Sequence, residues 1–198
     1  MIHSFPALTT MWFVMMSAMM GPTVWPWVSA FHKMSSPVMS TPVVSGFSRT
    51  TVFVSGYAVA WLLYSLTAAS IQLLLPHQLP AALTASILFI AGAFQFAPIK
   101  RACLTHCRNP LTYFLARWRD GRSGGFRMGF GHGVFCVACC WALMATTLAV
   151  GVMSLWWMAA LAVVTFAEQV SPWGDRVRIV VGLALMAAGL SQMPWLMP

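Results

Sequence analysis

Apolar residues run through most of the chain in long continuous stretches that do not alternate with polar residues. A helix needs about 20 apolar residues to cross roughly 30 Å of hydrocarbon, and continuous runs favour helices over the alternating strands of a membrane barrel. The pattern therefore predicts an all-α membrane protein, a bundle of about six transmembrane helices. The predicted spans are residues 8–30, 51–75, 81–98, 130–152, 155–170 and 178–196.

The composition strengthens the membrane assignment. Of the 198 residues, 60% are hydrophobic and 7% are charged, whereas about a quarter of the residues in soluble proteins are charged. The mean hydropathy is +0.78. We therefore expect one integral membrane domain over residues 1–198, with the lipid bilayer as a partner and a bacterial inner membrane as its location.

The basic residues all fall on one side of the predicted bundle. Lys33 and Arg49 lie in the first loop, and Arg176 and Arg178 lie in the fifth. The third loop holds Lys100, Arg101, Arg108, Arg117, Arg119, Arg122 and Arg127. The positive-inside rule makes these loops cytoplasmic, so both termini are expected outside the cytoplasm. The net charge of +8 then reflects topology and contact with anionic lipid headgroups, and we expect no nucleic-acid partner.

The third loop, residues 99–129, is a basic cytoplasmic loop with a predicted interfacial helix. Asn109 and Pro110 form a typical helix start. Apolar side chains then recur at helical spacing beside arginines. These are Leu111, Phe114, Leu115 and Trp118. The segment therefore predicts an amphipathic helix on the inner membrane surface, and "DGRSGG", residues 120–125, is expected to be a flexible turn back to the membrane.

Glycine marks the return of the chain into the membrane. Gly125, Gly129 and Gly133 recur every four residues and place a smooth stripe on one helix face. Small residues at this spacing let helix backbones approach closely. The stripe predicts helix packing, and close approach could in addition bring ligands from a neighbouring segment within bonding distance.

Cysteine and histidine are concentrated on either side of the basic loop. In "HGVFCVACCW", residues 132–141, the thiols and the imidazole occupy positions that share one helix face. They are His132, Cys136, Cys139 and Cys140. In "KRACLTHCRNPL", residues 100–111, Cys103, His106 and Cys107 also share a face if the segment is helical. Because both segments adjoin the cytoplasmic side, we expect the two groups to converge there.

Thiolates and imidazoles select zinc, Cu(I) or iron–sulfur centres, and two chelating pairs could complete a tetrahedral site. Packing is the alternative for any single cysteine, because cysteine is among the residues most often buried. Glu168, an acid at predicted membrane depth, could bind metal, support a ligating histidine or pair with an arginine. The candidate metal ligands are therefore Cys103, His106, Cys107, His132, Cys136, Cys139, Cys140 and Glu168.

A family resemblance runs through these motifs. "KRACLTHCRNPL", "RWRDGRSGGFRMGFGHGVFCVACCWALM" and "GVMSLWWMAALAVVTFAEQVSPWGDRV" resemble the family of unknown function DUF2182, described as predicted metal-binding integral membrane proteins. The first helix, "MWFVMMSAMMGP", is similar to that family too. One departure is Ala138, where glycine is expected before the cysteine pair. The resemblance implies a metal site but no reaction.

Three function classes are open. The first is copper or zinc handling, with transfer of the ion to or from a partner protein. The second is a non-catalytic accessory subunit of a larger membrane complex. The third is a membrane thiol-disulfide oxidoreductase using Cys136 and Cys139, which the predicted cytoplasmic position of these thiols disfavours. A phosphate-binding glycine loop is absent and only three acids occur, so the pattern favours binding over catalysis.

Overall fold

A computed structural model describes residues 4–35, 46–76, 79–151 and 154–193, and within these residues the chain is helical, with no strand. The helices are α1 (Phe5–Met34), α2 (Gly46–Leu74), α3 (Ala81–Phe94), α4 (Pro98–Arg108), α5 (Pro110–Arg117), α6 (Gly121–Val150), α7 (Leu155–Val170) and α8 (Gly174–Ser191). The predicted all-α class is confirmed. The last residues of the predicted span 178–196 lie outside the described part of the chain.

Three of the described helices are long and apolar enough to cross a membrane: α1, α2 and α6. Helices α3 and α4 meet the same test only together, and they are bent by 62° at the break between them. Helix α7 is apolar, but its 16 residues extend only about 24 Å at 1.5 Å per residue. Up to four spans are therefore supported, and the predicted count of about six is not shown.

Proline and glycine set several of the helix boundaries. Pro98 and Pro110 occupy the first turns of α4 and α5, where the missing N–H has no helical partner to lose. Gly151 ends α6 with a φ of 114°, a conformation that glycine adopts without strain. The Ser154 side chain then accepts a hydrogen bond from the Trp157 amide and caps α7.

Of two local predictions in the basic loop, one is confirmed and one needs correction. The helix start is confirmed, because Asn109 is the N-cap of α5 and Pro110 its first residue, although the Asn109 side chain donates to the Thr105 carbonyl of α4 rather than capping α5. The segment 120–125 is not a flexible turn, because α6 begins at Gly121. Close packing requires glycine at position 124, since a Cβ there would collide with the Arg119 carbonyl. At this residue the chain passes close to the start of the helix.

Helix α6 packs closely against α2 through the glycine stripe. A Cβ at Gly129 would collide with the Phe53 carbonyl, and one at Gly133 would lie 2.7 Å from the Ala60 Cβ. Gly125 is different, because its nearest neighbour would be 3.5 Å away. The stripe therefore brings the backbones of α2 and α6 together at two of its three positions, which fixes the helix that carries most of the cysteines.

Candidate metal site

Four of the five cysteine thiols meet between α4 and α6. Cys107 of α4 is in side-chain hydrogen-bonding contact with Cys136 and Cys139 of α6. The Cys139 and Cys140 sulfurs lie 3.3 Å apart, and the Cys136 thiol is in contact with Cys140. We call Cys107, Cys136, Cys139 and Cys140 the thiol cluster. Its members come from segments separated by the whole basic loop.

The thiol cluster is buried, and a carboxamide from α7 covers it. All four cysteines are buried, and they belong to an apolar core that includes methionines of α1. Gln169 points its Nε2 at Cys140 Sγ, 3.2 Å away, and at the sulfurs of Cys136 and Cys139, each 3.9 Å away. The Tyr57 hydroxyl lies 3.6 Å from Cys136 Sγ. Sulfur atoms are thus gathered with few polar neighbours, in a setting that excludes water.

Helix α4 is held against the rest of the bundle by its basic residues. Lys100 Nζ lies 2.8 Å from Glu168 Oε2 in a fully buried ion pair. Arg108 donates from Nε to the Glu168 carbonyl at 2.9 Å, and its Nη1 lies 3.3 Å from Asp175 Oδ2. These contacts tie both ends of the short helix to α7 and α8. They place Cys107 against α6.

The imidazole of His132 stacks on an aromatic wall, formed by Trp27 and Tyr57, next to the thiol cluster. Its ring centroid lies 3.6 Å from that of Trp27, at an interplanar angle of 15°, and 5.5 Å from that of Tyr57. Trp27 also donates from Nε1 to the Cys107 carbonyl at 2.8 Å. His132 is 1% exposed, and its Nδ1 has no hydrogen-bond partner among the described residues.

His106 lies between this wall and the surface. Its ring centroid is 4.0 Å from that of Phe135 and 4.8 Å from that of Tyr113. Its Nε2 is buried and lacks a partner in the described structure. His106 also lines a surface pocket of about 350 Å³ that includes Asn109 and Arg117. One imidazole therefore faces a pocket, while the other is enclosed.

Two of the predicted ligands stand apart from the thiol cluster. Cys103 is buried in the same core, but none of the described thiol contacts includes it. Glu168 directs one carboxylate oxygen at Lys100, which is an ion pair as anticipated, but with a lysine rather than an arginine. Its Oε1 has no described partner.

Sequence reasoning missed three side chains that shape the site, namely Gln169, Trp27 and Tyr57. Gln169 carried a usable signal, because it is a second polar residue beside Glu168 in an apolar helix. The two aromatic residues carried none, since aromatic side chains are common in predicted spans. Their role follows from the packing of α1 and α2 against α6.

The chemistry of the thiol cluster fits copper, although it is not a preformed coordination sphere. All five cysteines are free thiols, and sulfur donors suit Cu(I) as they also suit zinc and iron–sulfur centres. In the described part of the chain, no group of three or more His, Cys, Asp or Glu side chains is arranged to hold a metal ion. The thiols contact one another through hydrogen bonds, so metal binding would exchange these contacts for metal–sulfur bonds.

Comparison with known proteins identifies a family. Among curated proteins and among solved structures, no match was found. The PpoB2 family, described as copper chaperone, matches residues 9–192. The DUF2182 name is not confirmed, but the match agrees with the expected handling of metal and supports copper; it does not support zinc. Because the match covers nearly the whole chain, including both cysteine motifs, this protein belongs to the PpoB2 family of copper chaperones.

Proposed function

We propose that this protein is a membrane-embedded copper chaperone that binds Cu(I) at the thiol cluster and passes it to a partner protein. The observation that carries the proposal is the meeting of Cys107 with the three cysteines of α6 beneath Gln169. Membership of a copper chaperone family supports the choice of metal. Copper is the cargo in this proposal, and transfer to the partner completes the function.

The residues of the cluster suit a soft, monovalent ion. Cu(I) prefers thiolates over oxygen ligands, and each coordinating thiol gives up its proton when it binds. The Gln169 amide N–H group is aimed at sulfur, and a hydrogen bond to a charged acceptor is stronger than one to a neutral acceptor. Gln169 therefore stabilises the thiolates that metal binding creates. The apolar surroundings keep water away from the ion.

The proposed setting is a bilayer crossed by about six segments, with α3, α7 and α8 added to the three long apolar helices. Basic residues concentrate in residues 99–129, which we assign to the cytoplasmic face of a bacterial inner membrane. Both termini then lie outside the cytoplasm. In this arrangement residues 1–198 act as one domain, and copper is exchanged near the cytoplasmic face.

Copper content is the direct test. The full-length protein, purified in mild detergent and loaded with Cu(I), is expected to retain about one equivalent of copper by elemental analysis. Cys136→Ser combined with Cys140→Ser removes two sulfurs from the thiol cluster and is expected to abolish retention.

Cys103→Ser is the matched control, because Cys103 is a buried thiol of the same core outside the cluster. This variant is expected to retain copper as the wild type does. Equal loss of copper in Cys103→Ser and in the double variant would overturn the assignment of the cluster. Full retention by a double variant that remains folded, as judged by its helical circular dichroism, would overturn it as well.

A further inference from the structure

Two buried imidazole nitrogens, His106 Nε2 and His132 Nδ1, have no partner among the described residues. A buried polar atom without a hydrogen bond is destabilising and rare in native structures, so it calls for a reason. Packing alone does not supply one, since an apolar ring would fill the same space without this penalty. Both nitrogens can accept a metal ion.

The two imidazoles lie one behind the other in space, between the surface and the thiol cluster. His106 lines the surface pocket, and Trp27 lies beside both rings, 6.0 Å from His106 and 3.6 Å from His132 between centroids. His132 precedes Cys136 by four residues on α6, so the two side chains lie on one face, one turn apart. Trp27 also bonds to the backbone of Cys107. The order is pocket, His106, His132, thiols.

We propose that His106 and His132 form an imidazole relay through which Cu(I) reaches the thiol cluster from a thiolate-bound carrier at the surface pocket. The inference rests on the proposed function, because it requires the thiols to be the destination. Imidazole binds copper, and thiolate binds Cu(I) more tightly. Within the protein the ion therefore passes from the weaker imidazole ligands to the stronger thiolates of the cluster, without being released into an apolar interior.

The transfer balances without an oxidant or reductant. Copper stays Cu(I) throughout. The carrier's thiolate is freed when the metal leaves it, and it takes up the proton that the protein thiol loses on forming the new copper–sulfur bond. No net charge is left in the core beyond that of the bound complex.

The surface around the pocket suits an anionic carrier. Arg117 lines the His106 pocket and also a neighbouring pocket of about 550 Å³, together with Arg119 and Arg127. Tyr113 forms a shared wall of both pockets, and burial raises the pKa of its hydroxyl, which donates to the Met128 carbonyl at 3.3 Å. A Cu(I)–thiolate complex with net negative charge would be attracted to this basic rim.

The rate of loading tests the relay separately from the final copper content. Full-length protein in detergent is mixed with the Cu(I)–glutathione complex, and protein-bound copper is measured over time after rapid desalting. His106→Gln is expected to slow loading by about tenfold, the scale on which groups supporting a metal site act, while final copper content stays at the wild-type level. His32→Gln, at an exposed histidine that is not among the lining residues of either pocket, is the matched control and is expected to load at the wild-type rate.

A spectroscopic arm detects the imidazole ligands directly, in protein that keeps both histidines. Cu(II) is added to a variant in which all five cysteines are serine, so that no thiol reduces it, and electron paramagnetic resonance is used to detect nitrogen ligands. Nitrogen coupling that disappears when His106→Gln is added supports the relay. Its absence, wild-type loading by His106→Gln, or an equal loss of rate and of final copper content would overturn the relay. The proposed function fails independently, if the double serine variant retains copper.

Discussion

The buried ion pair of Lys100 and Glu168 leads to a prediction about the stability of the protein when one or both charges are removed. The ammonium and carboxylate are 2.8 Å apart and fully buried, and the pair connects α4 to α7. Lys100→Met leaves the Glu168 carboxylate without its partner in an apolar core. Removing one partner of a buried ion pair costs roughly 3–5 kcal/mol, because an uncompensated charge stays behind.

Replacing both partners should behave differently. Lys100→Met with Glu168→Leu removes the charges together, and such replacements are often neutral or stabilising by about 1–4 kcal/mol. The free energy of unfolding, measured by chemical denaturation in detergent with helical circular dichroism, is therefore expected to fall in Lys100→Met and to recover in the double variant. The interaction energy between the two substitutions, obtained from the double-mutant cycle, decides whether the two charges stabilise each other.

Copper retention by the same double variant separates two roles of Glu168. If the carboxylate only balances Lys100, the double variant keeps its copper. Loss of copper in a folded double variant would make Glu168 a ligand, as the sequence allowed. Unfolding free energies equal to the wild type in Lys100→Met, or no recovery in the double variant, would refute the reasoning about the buried pair.

Three further substitutions probe the packing around the site. Gly129→Ala is expected to lower the thermal unfolding temperature, because its Cβ would meet the Phe53 carbonyl. Gly21→Ala is the control, because a Cβ there has open space, and it is expected to be neutral or stabilising by about 0.5–1 kcal/mol. Equal effects of the two substitutions would refute the close α2–α6 contact. Gln169→Leu removes a donor to charged sulfur and is expected to weaken Cu(I) binding by about 1.5–3 kcal/mol in competition with a chromophoric chelator. Gln192→Leu, away from the thiols, should leave that affinity unchanged. Trp27→Phe loses the hydrogen bond to the Cys107 carbonyl and should lower the unfolding free energy by about 0.5–1.5 kcal/mol; an unchanged value would argue against that bond.

The spacing of the cysteines was enough to predict which of them share a face, because helical geometry is local. Cys136, Cys139 and Cys140 follow this rule within α6, and Cys107 lies on α4 as the helical reading required. Cys103 has the same local pattern yet stands apart from the thiol cluster. Its separation depends on how α4 is turned against α6, and the spacing does not contain that information.

The features that escaped prediction depend on contacts between distant segments. Gln169 reaches the sulfurs because α7 packs beside α6. The segment 120–125 also escaped prediction, for a local reason: its composition is typical of a turn, but α6 begins at Gly121, and Gly124 lies against the Arg119 carbonyl five residues earlier. Local propensity is a weak guide wherever close backbone approach rewards glycine in a helix.

The thiol cluster is divided unequally, with three sulfurs on the long helix α6 and one on the eleven-residue helix α4. An ion bound across this division joins the two helices, so copper affinity and the docking of α4 become linked quantities. By reciprocity, a protein that binds α4 and draws it aside weakens copper binding by the same factor by which copper opposes that displacement. A recipient protein that binds the outer face of α4 could thus trigger the release of copper without first contacting any sulfur.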